Sequence, residues 1–196
     1  MVTIVVQAGG TSSRMGKDKA LIPLGDKPLI EHVLERVQGL GTEVLITSNN
    51  PEPLSYLGIR LVQDRDPGAG ALSGLLTALE AAHGDYLLIA ACDMPFISTG
   101  LFQYMLQRTK NFDVVIPYWN GYYEPMHAIY AKTCMPAVRR TIACNNQRLV
   151  SFFQEVRVLQ ICDPVLGAFD HSGKTFFNIN TSQDLREAER YLASKD

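Results

Sequence analysis

Hydrophobic and polar positions along this chain of 196 residues alternate between two rhythms. Short apolar runs rich in β-branched residues occur at 2–6 (VTIVV), 43–47 (EVLIT), 59–63 (IRLVQ), 86–92 (YLLIAAC) and 112–117 (FDVVIP). Their length and composition predict strands, and the unbroken apolar run at 86–92 predicts a central strand covered on both faces. Between them lie stretches with apolar residues three and four apart. Leu29, Val33, Leu34 and Val37 share one helical face behind Pro28, with Gly39 and Gly41 as stop signals. Residues 71–84 predict a second helix closing at Gly84. Strands alternating with helices predict a mostly parallel sheet in a layered α/β fold.

After residue 117 the rhythm changes. Residues 120–131 open on Asn120-Gly121, a hairpin dipeptide, and predict strands flanking a turn. Residues 133–143 and 148–156 predict helices, 156–161 a strand, and 182–195 a final amphipathic helix capped by Ser182. No linker, repeat or low-complexity segment interrupts the chain. The pattern therefore reads as one Rossmann-like domain, 1–196, whose later part (118–196) adds a substrate-facing portion to residues 1–117.

Composition narrows the function. Lys and Arg number 18 against 20 Asp and Glu, for a net charge of −2, so the basic excess of an extended nucleic-acid binder is missing. Hydrophobic residues make up 46%, enough for a full core, yet no apolar run has the length of a bilayer span. The first residues lack the charged start of a signal peptide. Cys92, Cys134, Cys144 and Cys162 are scattered without a C-x-x-C pair, which argues against a zinc site or disulfide framework and fits a reducing cytoplasm.

The chemistry concentrates after the first strand, where a chain of almost no net charge gathers Gly9, Gly10, Arg14, Lys17 and Lys19 within eleven residues. In a parallel α/β sheet this loop lies at the ligand crevice outside the strand ends. Glycines there let backbone N–H groups approach a polyphosphate, Arg14 offers a planar fork and Lys19 a compact charge. A P-loop is excluded: five residues separate Gly10 from Gly16, and Asp18 follows Lys17. A dinucleotide fingerprint is excluded too, because GAGALSG (68–74) carries one residue too many before its last glycine. Asp93 ends the most buried strand, where a carboxylate meets the crevice and suits Mg²⁺ together with phosphate oxygens. Asp64 ends the third strand and suits donors on a base or ribose, or else a loop ion pair with Arg60 or Arg65. His127, in an apolar strand, reads as a core histidine. Tyr118, Trp119, Tyr122 and Tyr123 suit a ring-binding floor and hairpin packing equally.

These segments resemble a known family. AGGTSSRMGKDKAL (8–21), VQD (62–64), GALSGL (70–75), ACDMP (91–95), EPMHAIY (124–130) and NINTSQDL (178–185) follow, in order, the signatures of the molybdenum cofactor guanylyltransferases. The resemblance spans nearly the whole chain. It implies a Rossmann-like three-layer α/β sandwich of nucleotidyltransferase type. It also implies transfer of GMP from GTP onto the phosphate of molybdenum-loaded molybdopterin, with release of pyrophosphate. By the same resemblance Arg14, Lys19 and Asp93 are catalytic and Asp93 binds Mg²⁺. The nucleotide site comprises Gln7, Ala8, Gly9, Gly10, Ser12, Lys19, Thr47, Asp64 and Asp93, and Asn178 and Asn180 face molybdopterin. Lys17 and Asp18 orient the loop. Gln7 stands where the family usually has Leu, and Thr47 where it often has Asn, a position Asn49 would compensate. Implied partners are GTP, molybdopterin, molybdenum insertion proteins and recipient molybdoenzymes, with neither nucleic acid nor membrane. Transfer from CTP onto molybdopterin, transfer from another nucleotide onto a sugar or alcohol phosphate, and a non-catalytic nucleotide or cofactor binder remain as alternatives.

Overall fold

A computed structural model describes residues 1–8, 18–64 and 70–194 of the chain. Its centre is a mixed sheet. Strand β1 (Val2–Gln7) is followed by the short pair β2 (Pro23–Leu24) and β3 (Lys27–Pro28), helix α1 (Leu29–Val37), β4 (Glu43–Ser48), β5 (Arg60–Gln63), α2 (Ala71–Ala81) and β6 (Tyr86–Ala91). Then come α3 (Thr99–Leu106), β7 (Val114–Trp119), β8 (Tyr122–Tyr123), β9 (His127–Ala131), α4 (Met135–Ala143), β10 (Val158–Ile161) and α5 (Ser182–Ala193). The order across the sheet is β10-β7-β9-β6-β1-β4-β5, with β8 added to β7. Strands β1, β4, β5 and β6 pair in parallel, as does β10 with β7, while β9 runs antiparallel between β6 and β7.

Alternation of side chains along each strand divides the core into two layers. Ile4 and Val6 of β1 join Ile46, Leu88 and Ala90 under α1 and α3. Val5 joins Leu45, Leu87, Ile89 and the apolar residues of α2 and α4 on the other face. Burying each such aliphatic side chain fully contributes about 1.5–3 kcal/mol. Helix α1 inserts Leu29, Val33, Leu34 and Val37, whose spacing announced it, and Ile30 beside them. A third, smaller cluster of Phe96, Ile179 and Ala188 fastens α5 to the carboxyl end of the sheet.

The structure departs from the sequence expectations in four places. Residues 99–106 form α3, capped by the Ser98 side chain, which accepts from Leu101 N. The cap and the spacing of Leu101, Phe102 and Met105 announce a helix, yet the apolar strands on either side dominate the pattern. Residues 148–156 give only a short 3₁₀ stretch, Ser151–Glu155, because its apolar residues insert as one turn against α4. The N-cap of α5 is Thr181, one residue before the expected Ser182. Thr181 forms a capping box with Asp184, which no arrangement on Ser182 would reproduce. Finally, Asn120 and Gly121 take φ values of 49° and 85°, as a two-residue hairpin turn requires. They turn only β7 into β8, and the chain then crosses to insert β9 beside β6.

His127 lies in the core, as its apolar strand suggested. Its ring stacks on Phe102 at 3.9 Å between centroids and 2° between planes. Neither ring nitrogen has a hydrogen-bond partner among the described residues, and burial pushes its pKa down to about 3. Cys92 and Cys134 are buried free thiols.

Candidate active site

The parallel strands β1, β4, β5 and β6 end along one edge, and backbone hydrogen bonds tie the segments that leave them. Ala8 N donates to Thr47 O at 2.8 Å, Asp64 N to Ser48 O at 3.1 Å, and Cys92 N to Gln7 O at 3.0 Å. These bonds hold residues 7–8, 47–49, 64 and 92–93 side by side at the rim of the crevice that topology assigns to ligands.

Several polar atoms on this rim are buried and unpaired among the described residues: Gln7 Nε2, Asn49 Oδ1 and Asp64 Oδ1. Such atoms are costly to bury without a partner, and all three belong to residues at the carboxyl ends of β1, β4 and β5. Burial pushes the Asp64 carboxyl above its ordinary range. Arg60, one of the ion-pair partners weighed for Asp64, instead pairs with Glu43 at 2.8 Å. Thr47 is only 1% exposed and contributes its carbonyl to the rim.

The second cluster sits at Asp93, just past β6. Lys19 opens a 3₁₀ turn, Lys19–Leu21, whose N-cap Asp18 accepts from Ala20 N at 3.1 Å. Asp18 therefore orients this segment, and burial raises its carboxyl pKa. The turn delivers Lys19 Nζ to 3.1 Å from Asp93 Oδ2 and 2.5 Å from Asn180 Oδ1. Lys19 and Asp93 keep only 17% of their side-chain surface exposed. Ile179 N donates to Asp93 O at 2.9 Å, docking the 178–180 segment on the end of β6. Asp184 Oδ2 accepts from both Asn180 N and Thr181 N at 2.8 Å, so the capping box of α5 also fixes Asn180.

A divalent cation fits this donor set. Asp93 Oδ2 and Asn180 Oδ1 are hard oxygens that here both accept from the Lys19 ammonium, so a Mg²⁺ held by them would take the place of that ammonium and draw its other ligands from phosphate and water. Among the described residues no group of three or more His, Cys, Asp or Glu side chains forms an all-protein metal cage.

Lys19, Asp93 and Asn180 are thus brought into contact, with Gln7, Ala8, Thr47 and Asp64 along the adjoining rim. Asn178 is not drawn into the contact: its Nδ2 donates to Phe176 O at 3.0 Å. Gly9, Gly10, Ser12, Arg14 and Lys17 lie outside the described residues. Trp119 packs on Phe176, and Tyr118 and Tyr123 pack edge to face, which accounts for three of the four hairpin aromatics, while Tyr122 is 74% exposed. The Lys19–Asn180 contact was not readable from sequence. It joins residues 161 positions apart, and no spacing rule reaches that far.

Comparisons with known proteins bear on the fold and the family. Residues 4–160 match the family described as NTP_transf_3, the MobA-like NTP transferase domain. A protein named probable molybdenum cofactor guanylyltransferase from Natranaerobius thermophilus is 35% identical over 201 residues, covering 100% of this chain and 98% of the relative. A relative of the same name from Pelotomaculum thermopropionicum is 36% identical over 186 residues, covering 95% of this chain and 91% of its own. Among solved structures, the molybdopterin-guanine dinucleotide biosynthesis protein A of Archaeoglobus fulgidus superposes with a TM-score of 0.84 at 27% identity, covering 98% of this chain and 99% of that one.

Proposed function

Because the chain belongs to the MobA-like NTP transferase family, we propose that it transfers GMP from GTP to the phosphate of molybdenum-loaded molybdopterin, forming the guanine dinucleotide cofactor and pyrophosphate. The observation that carries this reading is the Lys19–Asp93–Asn180 contact at the strand ends, beside a rim with polar atoms unpaired among the described residues. The names of the full-length relatives favour GTP over CTP.

In the proposed reaction an oxygen of the acceptor phosphate forms a bond to the α-phosphorus of GTP. The bond from that phosphorus to its bridging oxygen breaks, and its electron pair leaves with pyrophosphate. The acceptor is already an anion at neutral pH, so no side chain needs to remove a proton. The work of this chain is positioning and charge stabilisation. Lys19 neutralises phosphate oxygens, and Arg14, with the backbone from Ala8 to Ser12, cradles the leaving group. Asp64 and Asn49, with Gln7 and Thr47 nearby, meet the nucleoside. Asp93, with Asn180, would hold Mg²⁺, which when bound neutralises charge on the α- and β-phosphates. Asn178 and Asn180 line the acceptor side, so that residues 1–117 serve the nucleotide and 118–196 the acceptor. Insertion proteins and recipient molybdoenzymes would stand on either side of the reaction as partners in the cytoplasm.

The test is pyrophosphate release by the purified protein with loaded molybdopterin, Mg²⁺ and either GTP or CTP. Release with GTP, together with a guanine dinucleotide product, is expected. Preference for CTP ends the guanylyl assignment, and GTP binding without release from either nucleotide marks a binding protein.

A further inference from the structure

Strand β6 has two neighbours at its carboxyl end. On one side stands Gln7 of β1, whose carbonyl takes Cys92 N. On the other stands a turn, Glu124–His127, which no assignment above uses. It is clamped at three points. Glu124 N donates to Pro117 O at 3.0 Å, His127 N donates to Glu124 O at 3.0 Å, and Met126 O accepts from Ala91 N at 3.2 Å. Tyr130 Oη adds a bond to Pro125 O at 2.8 Å. The turn is therefore fixed between the end of β7 and the end of β6, two residues before Asp93.

Glu124 is the polar side chain this clamp presents. It is half-buried, and its carboxylate meets no cation and no hydrogen-bond donor among the described residues. Burial alone accounts for a pKa raised to about 7. Among the described residues nothing competes for its carboxylate, which leaves it able to take an outside donor. The turn that carries it lies beside the end of β6 on the side away from β1, β4 and β5, whose ends bear Gln7, Asn49 and Asp64, and this is the side left for the acceptor when the nucleotide occupies that rim. An acceptor phosphate must reach Lys19 and Asp93, which leaves the far end of the acceptor for Glu124. In a pterin that end carries two parallel donors, the ring N3–H and the 2-amino group. A carboxylate pairs with such an edge through two charge-assisted hydrogen bonds.

We propose that Glu124 is a specificity residue for the acceptor, its carboxylate receiving the N3–H and 2-amino donors of the pterin ring. This rests on the transferase reading above. The test uses intrinsic pterin fluorescence to titrate the full chain with two probes, 6-hydroxymethylpterin phosphate and its 2-oxo analogue, which lacks the amino donor. GTP binding with Mg²⁺ is measured in parallel. The wild type should prefer the pterin probe at least about tenfold, as loss of one hydrogen bond to a charged group implies. Glu124→Gln, nearly isosteric, should lose that preference and keep GTP affinity within about twofold. Glu124→Asp, which retains the charge on a shorter arm, should keep part of it. Wild type that binds both probes equally, or Glu124→Gln that discriminates as the wild type does, overturns the assignment of Glu124 while GTP binding leaves the transferase reading standing. Wild type that binds neither GTP nor pterin overturns both.

Discussion

The two flanks of Asp93 are built on different principles. On the β1 side, parallel strands β4, β1 and β6 end together, and polar atoms of Gln7, Asn49 and Asp64 are buried without partners among the described residues. On the β9 side, an antiparallel strand and a clamped turn satisfy their backbone groups, aromatic rings pack on one another, and the Glu124 carboxyl has no partner among the described residues. Parallel strands that end together place side chains from several strands along one crevice, and such an edge suits a ligand rich in donors and acceptors. A clamped antiparallel turn instead fixes a single group in space, which suits recognition of one particular edge. The difference suggests that selectivity for the nucleotide is spread over several weak contacts, whereas selectivity for the acceptor is concentrated in few.

The largest expected effect falls where the flanks meet. Lys19 touches Asp93 from β6 and Asn180 from the α5 side. Lys19→Ala should lower kcat/KM for pyrophosphate release about 30- to 10³-fold, or about 2–4 kcal/mol of transition-state stabilisation, as loss of one preorganised charged donor does. The melting temperature should fall too, because Asp93 loses its partner in a mostly buried ion pair, so the loss of turnover is to be compared with Lys19→Met, which fills the same space without the charge. A large drop in melting temperature with unchanged turnover would make Lys19 a strut between the flanks and not a catalytic group.

The next effect separates the flanks by pH. His127 heads β9, neutral and fully buried, with its pKa held near 3 against about 6.5 for an unfolded histidine. A depressed pKa makes the folded state bind fewer protons than the unfolded one, so its contribution is intact above pH 6.5 and is lost as pH falls toward 3. Between pH 6.5 and pH 4 the loss should reach about 3 kcal/mol. Denaturant melts across that window should show the slope in the wild type and a flatter profile in His127→Phe, which fills the same stack on Phe102 without a titratable nitrogen. Glu43 and Asp113, both held at about 2 by hydrogen bonds and ion pairs that outweigh burial, add a second decline at lower pH that the variant leaves in place.

A smaller effect isolates the nucleotide rim. Asp64→Asn removes an acceptor from a set of several, so GTP should bind about tenfold more weakly, or about 1.4 kcal/mol. Binding of the pterin probe should not change. Equal weakening of both ligands would mean that Asp64 shapes the whole crevice and that the division into two flanks is wrong.

How much of this was legible beforehand follows the same division. The β1 flank was nearly all in the sequence. Runs such as 2–6 and 86–92 carry their own burial signal, and Asp64 and Asp93 mark the ends of their strands in the chain itself. The Asn120-Gly121 turn and the final helix were also read correctly, because hairpin and helix signals act over a few residues. What escaped depends on distant partners. The sequence offers no sign that β9 inserts beside β6, since that pairing joins Ala90 to His127 across an intervening helix and hairpin. The clamping of Glu124 depends on that pairing, and the contact of Lys19 with Asn180 depends on the docking of residues 178–180 on Asp93, so both were out of reach. The one-residue error at the α5 cap is of another kind. Thr181 and Ser182 are both good caps, and only the position of Asp184 three residues after Thr181 decides between them.

That cap supplies the smallest and most discriminating perturbation. Thr181 Oγ1 accepts from Asp184 N at 3.1 Å, while Asp184 Oδ2 accepts from Thr181 N and Asn180 N. Thr181→Ala removes one of these bonds and should cost about 1 kcal/mol of stability. For a chain of this size that lowers the melting temperature by about 2–4 °C. The Asp184 bond to Asn180 N survives, so Asn180 Oδ1 stays on Lys19 and turnover should fall less than about threefold, well short of the loss of a preorganised donor. Asp184→Ala removes the bonds to both Asn180 and Thr181, and it should reduce turnover more than its stability loss alone explains. If the two variants lose activity in proportion to stability, Asn180 is positioned by the Ile179–Asp93 backbone bond alone, and α5 serves only to cover the third hydrophobic cluster. If Asp184→Ala loses turnover out of proportion, the last helix holds the acceptor flank against the catalytic lysine, and the two unlike flanks are coupled through one asparagine.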